Sequence, residues 1–207
     1  MRNVLTIAVV TAILKSLLEN SLIQQAVNTG MGDVSITTLP PDRIVTGAEE
    51  RPQLNLYLYR LTPDTGWRRA ASDSVHRAPG EQELTLNLHY LLSAYGERDF
   101  QSEMLLGVAL ECLQTFASLE GERLHTTLDT LMSRKSNNVT LTTLLRSAGP
   151  ARLEQLKVTP EFLNLEELSK LWGSFQARAR LSITYQVSAS LNFADNHEGA
   201  KSAQVLR

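Results

Sequence analysis

The chain has 207 residues, 43% of them hydrophobic and 20% charged, with a formal net charge of −2 at pH 7. That length supports one good-sized core and not two comfortable domains, and the near-average composition carries no polyanion-binding charge excess and no disordered or fibrous signature. The single cysteine, Cys112, excludes an internal disulfide and a zinc site built mainly from thiolates, and it suits synthesis in a reducing cytosol.

The chain opens MRNVLTIAVVTAILKSLL, a basic residue followed by an apolar stretch, as a secretory signal would. Lys15 interrupts that run short of the roughly 20 apolar residues of a membrane span, and no small-x-small cleavage site follows. Leu14, Leu17, Leu18, Leu22 and Val27 continue on helical spacing to Gly30, so a buried N-terminal helix is predicted in place of a targeting segment. GMGDVSITTLPPDRI then reads as a turn and a short edge strand closed by Pro40 and Pro41.

PQLNLYLYRL alternates Leu54, Leu56 and Leu58 against Tyr57, Tyr59 and Leu61, apolar on both faces, which predicts a strand inside the sheet. Thr62 to Glu83 is a long loop of turn formers and charges, the kind that carries function in compact domains. ELTLNLHYLLSAYG places Leu84, Leu86, Leu88, Tyr90, Leu92 and Ala94 on one face and Thr85, Asn87, His89 and Ser93 on the other. It should pair antiparallel with the Leu54 strand across that loop.

DFQSEMLLGVALECLQTFASL turns to helical period, with Asp99 or Ser102 available as a cap and Phe100, Met104, Val108, Cys112 and Phe116 expected near one stripe. A weaker helix from Glu122, a polar turn at SRKSNN, a short helix or strand before Pro150, and a strand in EQLKVTPEFL stopped by Pro160 follow.

The stretch from Asn164 to Leu191 brings two carboxylates, a tryptophan, two arginines and a run of hydroxyls together. With Asn164 as N-cap, Glu167 falls at the third helical position, giving an N-x-x-E capping box, and Glu166 sits beside the positive helix end. Leu165, Leu168, Leu171, Trp172 and Phe175 share one predicted stripe, which makes Trp172 a core anchor. Leu181, Ile183, Tyr185, Val187, Ala189, Leu191 and Phe193 then alternate with Ser182, Thr184, Gln186, Ser188, Ser190 and Asn192, the cleanest strand in the chain. The tail from Asp195 to Arg207 has too little apolar content to pack alone and is expected to be loose in the isolated subunit.

Taken together, the elements predict an α+β single domain: a mostly antiparallel mixed sheet with a long N-terminal helix and further helices packed on it, over residues 1–194, followed by a flexible tail, 195–207. Catalysis finds little support. The G-x-S-x-G elbow is absent, Cys112 lies on an apolar stripe, and His76, His89, His125 and His197 are scattered without metal-ligand spacing. GMGD lacks the Lys-Ser/Thr of a phosphate loop, and Asn138-Val139-Thr140 matches a glycosylation acceptor without a secretory signal to give it meaning. No enzyme activity, cofactor or metal is expected. GWRRAASDSVHR is different: Trp67, Arg68, Arg69, His76 and Arg77 crowd the long loop, a composition found in protein interfaces and on single-stranded nucleic acid. A merely solvated loop has the same composition.

The blocks VSITTLPPDRI, PQLNLYLYRL, LTLNLHYLLSAYG and NLEELSKLWGSFQ…RLSITYQVS, in that order, resemble the N-terminal domain of the tube-terminating cap proteins of extracellular contractile injection systems, phage-tail-like particles of the antifeeding-prophage and virulence-cassette kind. The resemblance runs from the first helix to about Phe193 and is most specific in EELSKLWGSFQ with the strand after it; Arg178-Ala179-Arg180 stands where that pattern carries a Pro-Tyr. It implies a phage tail-terminator-like fold. It also implies a non-enzymatic bacterial structural subunit that forms a six-fold ring on the distal end of the inner tube and anchors the last sheath layer, assembled in the cytoplasm. Inner-tube and sheath proteins would be its partners, with no nucleic acid and no direct membrane insertion. Candidate interface residues are Trp67, Arg68, Arg69, His76 and Arg77 in the loop and Asp195 to Arg207 in the tail. The alternative is a monomeric or dimeric adaptor binding a protein through the arginine-rich loop.

Overall fold

A computed structural model of the chain describes residues 6–29, 33–64, 81–133 and 153–194. Four helices and six strands lie among them: α1 (Thr6–Thr29), β1 (Ser35–Thr37), β2 (Gln53–Pro63), β3 (Glu81–Tyr95), α2 (Gln101–Thr115), β4 (Ser118–Glu120), α3 (Gly121–Ser133), β5 (Leu153–Glu161), α4 (Leu165–Ser174) and β6 (Ser182–Ala194). The strands form one mixed sheet in the order β1-β2-β3-β6-β5-β4, with β1 parallel to β2 and every other pair antiparallel. The fold class is therefore the predicted one: a single α+β domain, with β1 at an edge, β2 inside it, and β2 paired antiparallel with β3.

One face of the sheet carries the main core. Leu54, Leu56, Leu88, Tyr90, Leu92, Val158, Val187 and Ala189 meet the buried sides of α1, α2 and α3. Helix α1 supplies Val9, Val10, Ile13, Leu14, Leu17, Leu18 and Leu22, its predicted buried role. By length and hydropathy Ile7–Gln25 would also suffice to cross a membrane, but half of that stretch is buried against the rest of the chain. Lys15 does not end the helix; it reaches Glu19 one turn on, 3.7 Å away. Tyr90 Oη meets Thr11 Oγ1 at 2.8 Å, which satisfies the phenol inside this core.

Several local expectations are corrected. In β2 the ladder slips at Tyr59, so that Leu61 faces Leu88 and turns to the core side, away from Tyr57 and Tyr59; a bulge inserts one residue and flips everything after it. The buried stripe of α2 is Leu105, Leu106, Ala109, Cys112 and Leu113, while Phe100 is 74% exposed and Met104 is exposed as well. A string of i, i+4 positions drifts around the helix by about 40° per step, so it cannot stay on one face over four steps. Neither Asp99 nor Ser102 caps α2. Its N-cap is Phe100, with φ at 63°, and the preceding turn is closed by Gln101 Oε1 accepting from Glu97 N at 3.1 Å and Arg98 N at 3.3 Å. Gly96 makes room for that arrangement, because a Cβ there would stand 2.9 Å from Cβ of Gln101. Pro160 lies within β5 and does not stop it; β4 pairs only with Gln155–Lys157, so the missing N–H falls where no described strand adjoins.

Candidate interaction surface

The second face of the sheet divides into two territories. Over β2, β3 and the start of β6 it is covered by α4. Asn164 caps that helix as its sequence requires: Oδ1 accepts from Glu167 N at 2.9 Å while Asn164 N donates to Glu167 Oε2 at 2.9 Å, and Lys170 Nζ reaches Glu166 Oε1 at 2.6 Å. Trp172 is 2% exposed and donates from Nε1 to Ser182 Oγ at 3.2 Å. Phe175 stands edge-on to Tyr57 at 5.5 Å and against Tyr59 and Trp172 at 6.4 Å each. Trp172 is thus an anchor, but of a second aromatic cluster separate from the main core. Beside it, Arg180 Nη2 donates to the buried Glu50 carboxylate at 2.7 Å and the Arg180 Cζ lies 5.7 Å from the Tyr95 ring centre, tying the segment between β1 and β2 to the turn before β6.

The other territory, over β3, β6 and β5, is polar. Thr85 and Ser190 hydroxyls meet at 3.2 Å, Ser188 Oγ donates to Asn87 Oδ1 at 2.6 Å, and Gln155 Nε2 donates to Glu120 Oε2 at 3.1 Å. Asn87, His89 and Ser93, expected merely on the face opposite the core, are buried. His89 joins three strands, with Nε2 at 2.9 Å from Thr62 Oγ1 and Nδ1 at 3.2 Å from Glu161 Oε2.

A hydroxyl, an imidazole and a carboxylate in series have the outline of a nucleophilic triad, and sequence spacing gave no hint of it. The rest of the machinery does not follow. Thr62 lies within the β2 ladder opposite Asn87 rather than on a strand-to-helix elbow, and His89 is buried. The series cross-links β2, β3 and β5. Cys112 is buried and its thiol is pushed up by loss of solvent, which makes it a poor nucleophile. No group of three or more His, Cys, Asp or Glu that could hold a metal lies among the described residues.

What the surface offers is apolar contact. Phe162 is 81% exposed and Leu165 84%, at the corner where β5 passes into α4. Leu165 was expected on the buried stripe with Leu168, Leu171 and Trp172. It stands off that stripe, since Leu168 and Leu171 are half-buried and Trp172 buried while Leu165 faces solvent. Trp67, Arg68, Arg69, His76, Arg77, Asp195 and Arg207, as well as GMG at 30–32 and the Asn138 sequon, lie outside the described residues.

A family profile described as the Pvc16 N-terminal domain matches residues 9–203. No curated protein sequence matches. Among solved structures, the sheath/tube terminator of an extracellular contractile injection system, PVC, in its extended state is similar at a TM-score of 0.52 and 17% identity, covering 92% of this chain and 57% of that one. The tube-terminating cap of the anti-feeding prophage is similar at a TM-score of 0.47 and 18% identity, covering 84% and 55%. The chain thus spans little more than half the length of the solved chains it resembles, and the first of them shares its fold.

Proposed function

Since the chain belongs to the Pvc16 N-terminal domain family, we propose that it is a structural cap subunit, a tail terminator, of a contractile injection system. In this reading it forms a hexameric ring that ends the inner tube and anchors the last sheath layer. It joins the particle during assembly in the bacterial cytoplasm and remains at the distal end. The observation that carries the reading is the family match over residues 9–203, and the fold shared with a sheath/tube terminator supports it. The side chains agree with a scaffold more than a catalyst. The described polar groups of the second face bond to one another across strands, and large apolar side chains, Phe162 and Leu165 above all, are exposed beside them.

The stretch from Trp67 to Arg77 and the tail from Asp195 to Arg207 are the proposed contacts to neighbouring subunits, tube or sheath. Removing the protein from cells that make the particles, and imaging what they release, tests the reading. Overlong tubes or prematurely contracted sheaths are expected; tubes of normal length with stable sheaths would refute it. A bound mass near six copies of the 23.0 kDa chain, about 138 kDa, is expected on tube ends, where an adaptor would arrive as one or two copies.

A further inference from the structure

We propose that the β5–α4 corner, with Phe162 and Leu165 as apolar anchors among Glu161, Glu166 and Glu167, docks a second copy of this chain. The occupant is that copy's basic-aromatic stretch, residues 65–80. The proposal rests on the ring reading above and gives it a subunit contact.

Three observations lead to it. First, Phe162 and Leu165 are the two most exposed large apolar side chains among the described residues, and they stand three positions apart at one corner. The buried anchor of α4, Trp172, lies two turns further along the helix, so its packing on the sheet leaves both anchors free for a partner. Second, the charges match. Residues 161–174 hold three carboxylates against Lys170, a net −2, whereas residues 65–80 hold Arg68, Arg69 and Arg77 against Asp73, a net +2, with Trp67 to supply an apolar anchor.

Third, the docking corner and Asp64, the last described residue before the stretch, lie at different corners of one sheet. Asp64 N bonds Thr85 O where β2 ends, while Glu161 lies opposite Thr184, itself opposite Leu91. The offset is six residues along β3, about 20 Å, and three strand spacings across, about 14 Å. A socket and a complementary plug on separate corners of the same subunit make a heterologous contact, the kind that propagates head to tail and closes into a ring when the rotation allows.

Native mass measurements over a concentration series test the contact. The wild-type chain should populate species beyond the dimer where F162S/L165S is monomeric, with subunit affinity at least tenfold weaker for each lost anchor. Because both side chains are exposed, the double variant should keep its melting temperature within about 2 °C. R68E/R69E should also be monomeric. Mixing the two variants should give a 1:1 heterodimer and nothing larger, since each supplies the half that the other lacks.

Unchanged assembly of F162S/L165S while the wild type oligomerises would overturn the contact and leave the ring reading standing. Unchanged assembly of R68E/R69E alone would overturn the assigned occupant. A wild-type chain that is monomeric in solution and on tube ends would overturn this contact and the ring together.

Discussion

Arg180 and Glu50 are 130 positions apart in the chain and 2.7 Å apart in space. Neither is remarkable in the sequence, where Arg180 stands out only as part of an Arg-Ala-Arg at a turn. The contact pairs the buried Glu50 carboxylate with one guanidinium, and Nε of Arg180 is itself buried without a hydrogen-bond partner. E50Q should therefore cost about 2 kcal/mol in chemical denaturation, more than a surface pair would, and E50Q/R180M should recover part of that loss because no charge is left stranded. Tyr185 gives a second residue-scale expectation. Burial pushes its phenol up to about 12 from an ordinary value near 10. The unfolded chain therefore loses that proton first, and stability should fall as pH rises from about 10 toward 12. Guanidinium midpoints at pH 9 and pH 11 measure the fall, which Y185F should make shallower.

Helix α4 shows how far an element can be read before it is placed. Its start was legible in full, because a capping box is a local device made from residues three positions apart, and N164A should cost about 1 kcal/mol of stability. Which of its apolar residues are covered was not legible, because that depends on how far the sheet extends beneath it. Trp172 bonds Ser182 at the start of β6 and is buried, whereas Leu165, two turns earlier on the same predicted stripe, is exposed. W172A should lower stability by about 3–5 kcal/mol, and L165A should leave it nearly unchanged. Thermal melts of the two variants would check the contrast. Strand β2 teaches the same lesson: alternation located it, but the bulge at Tyr59 that turns Leu61 toward the core is set by pairing with β3.

At the scale of the molecule, the described domain closes without the final segment: β6 already pairs with both β3 and β5 through Ala194 or near it. Truncation after Ala194 should accordingly shift the unfolding midpoint by no more than about 0.5 kcal/mol while weakening attachment to the particle. Differential scanning calorimetry and a pull-down with tube ends separate the two effects.

The sequence by itself determined the class of the fold, the N-terminal core helix, the β2–β3 pairing, the cap of α4 and the alternation of β6. These rest on periods of two or 3.6 residues, on contacts between near neighbours and, for the pairing, on two strands adjacent in chain order. Only the tertiary structure decided that β6 inserts between β3 and β5, that His89 meets both Thr62 and Glu161, that Arg180 finds Glu50, and that Phe162 and Leu165 are left facing solvent. Burial and long-range pairing depend on which elements stack where, and local periodicity does not encode that.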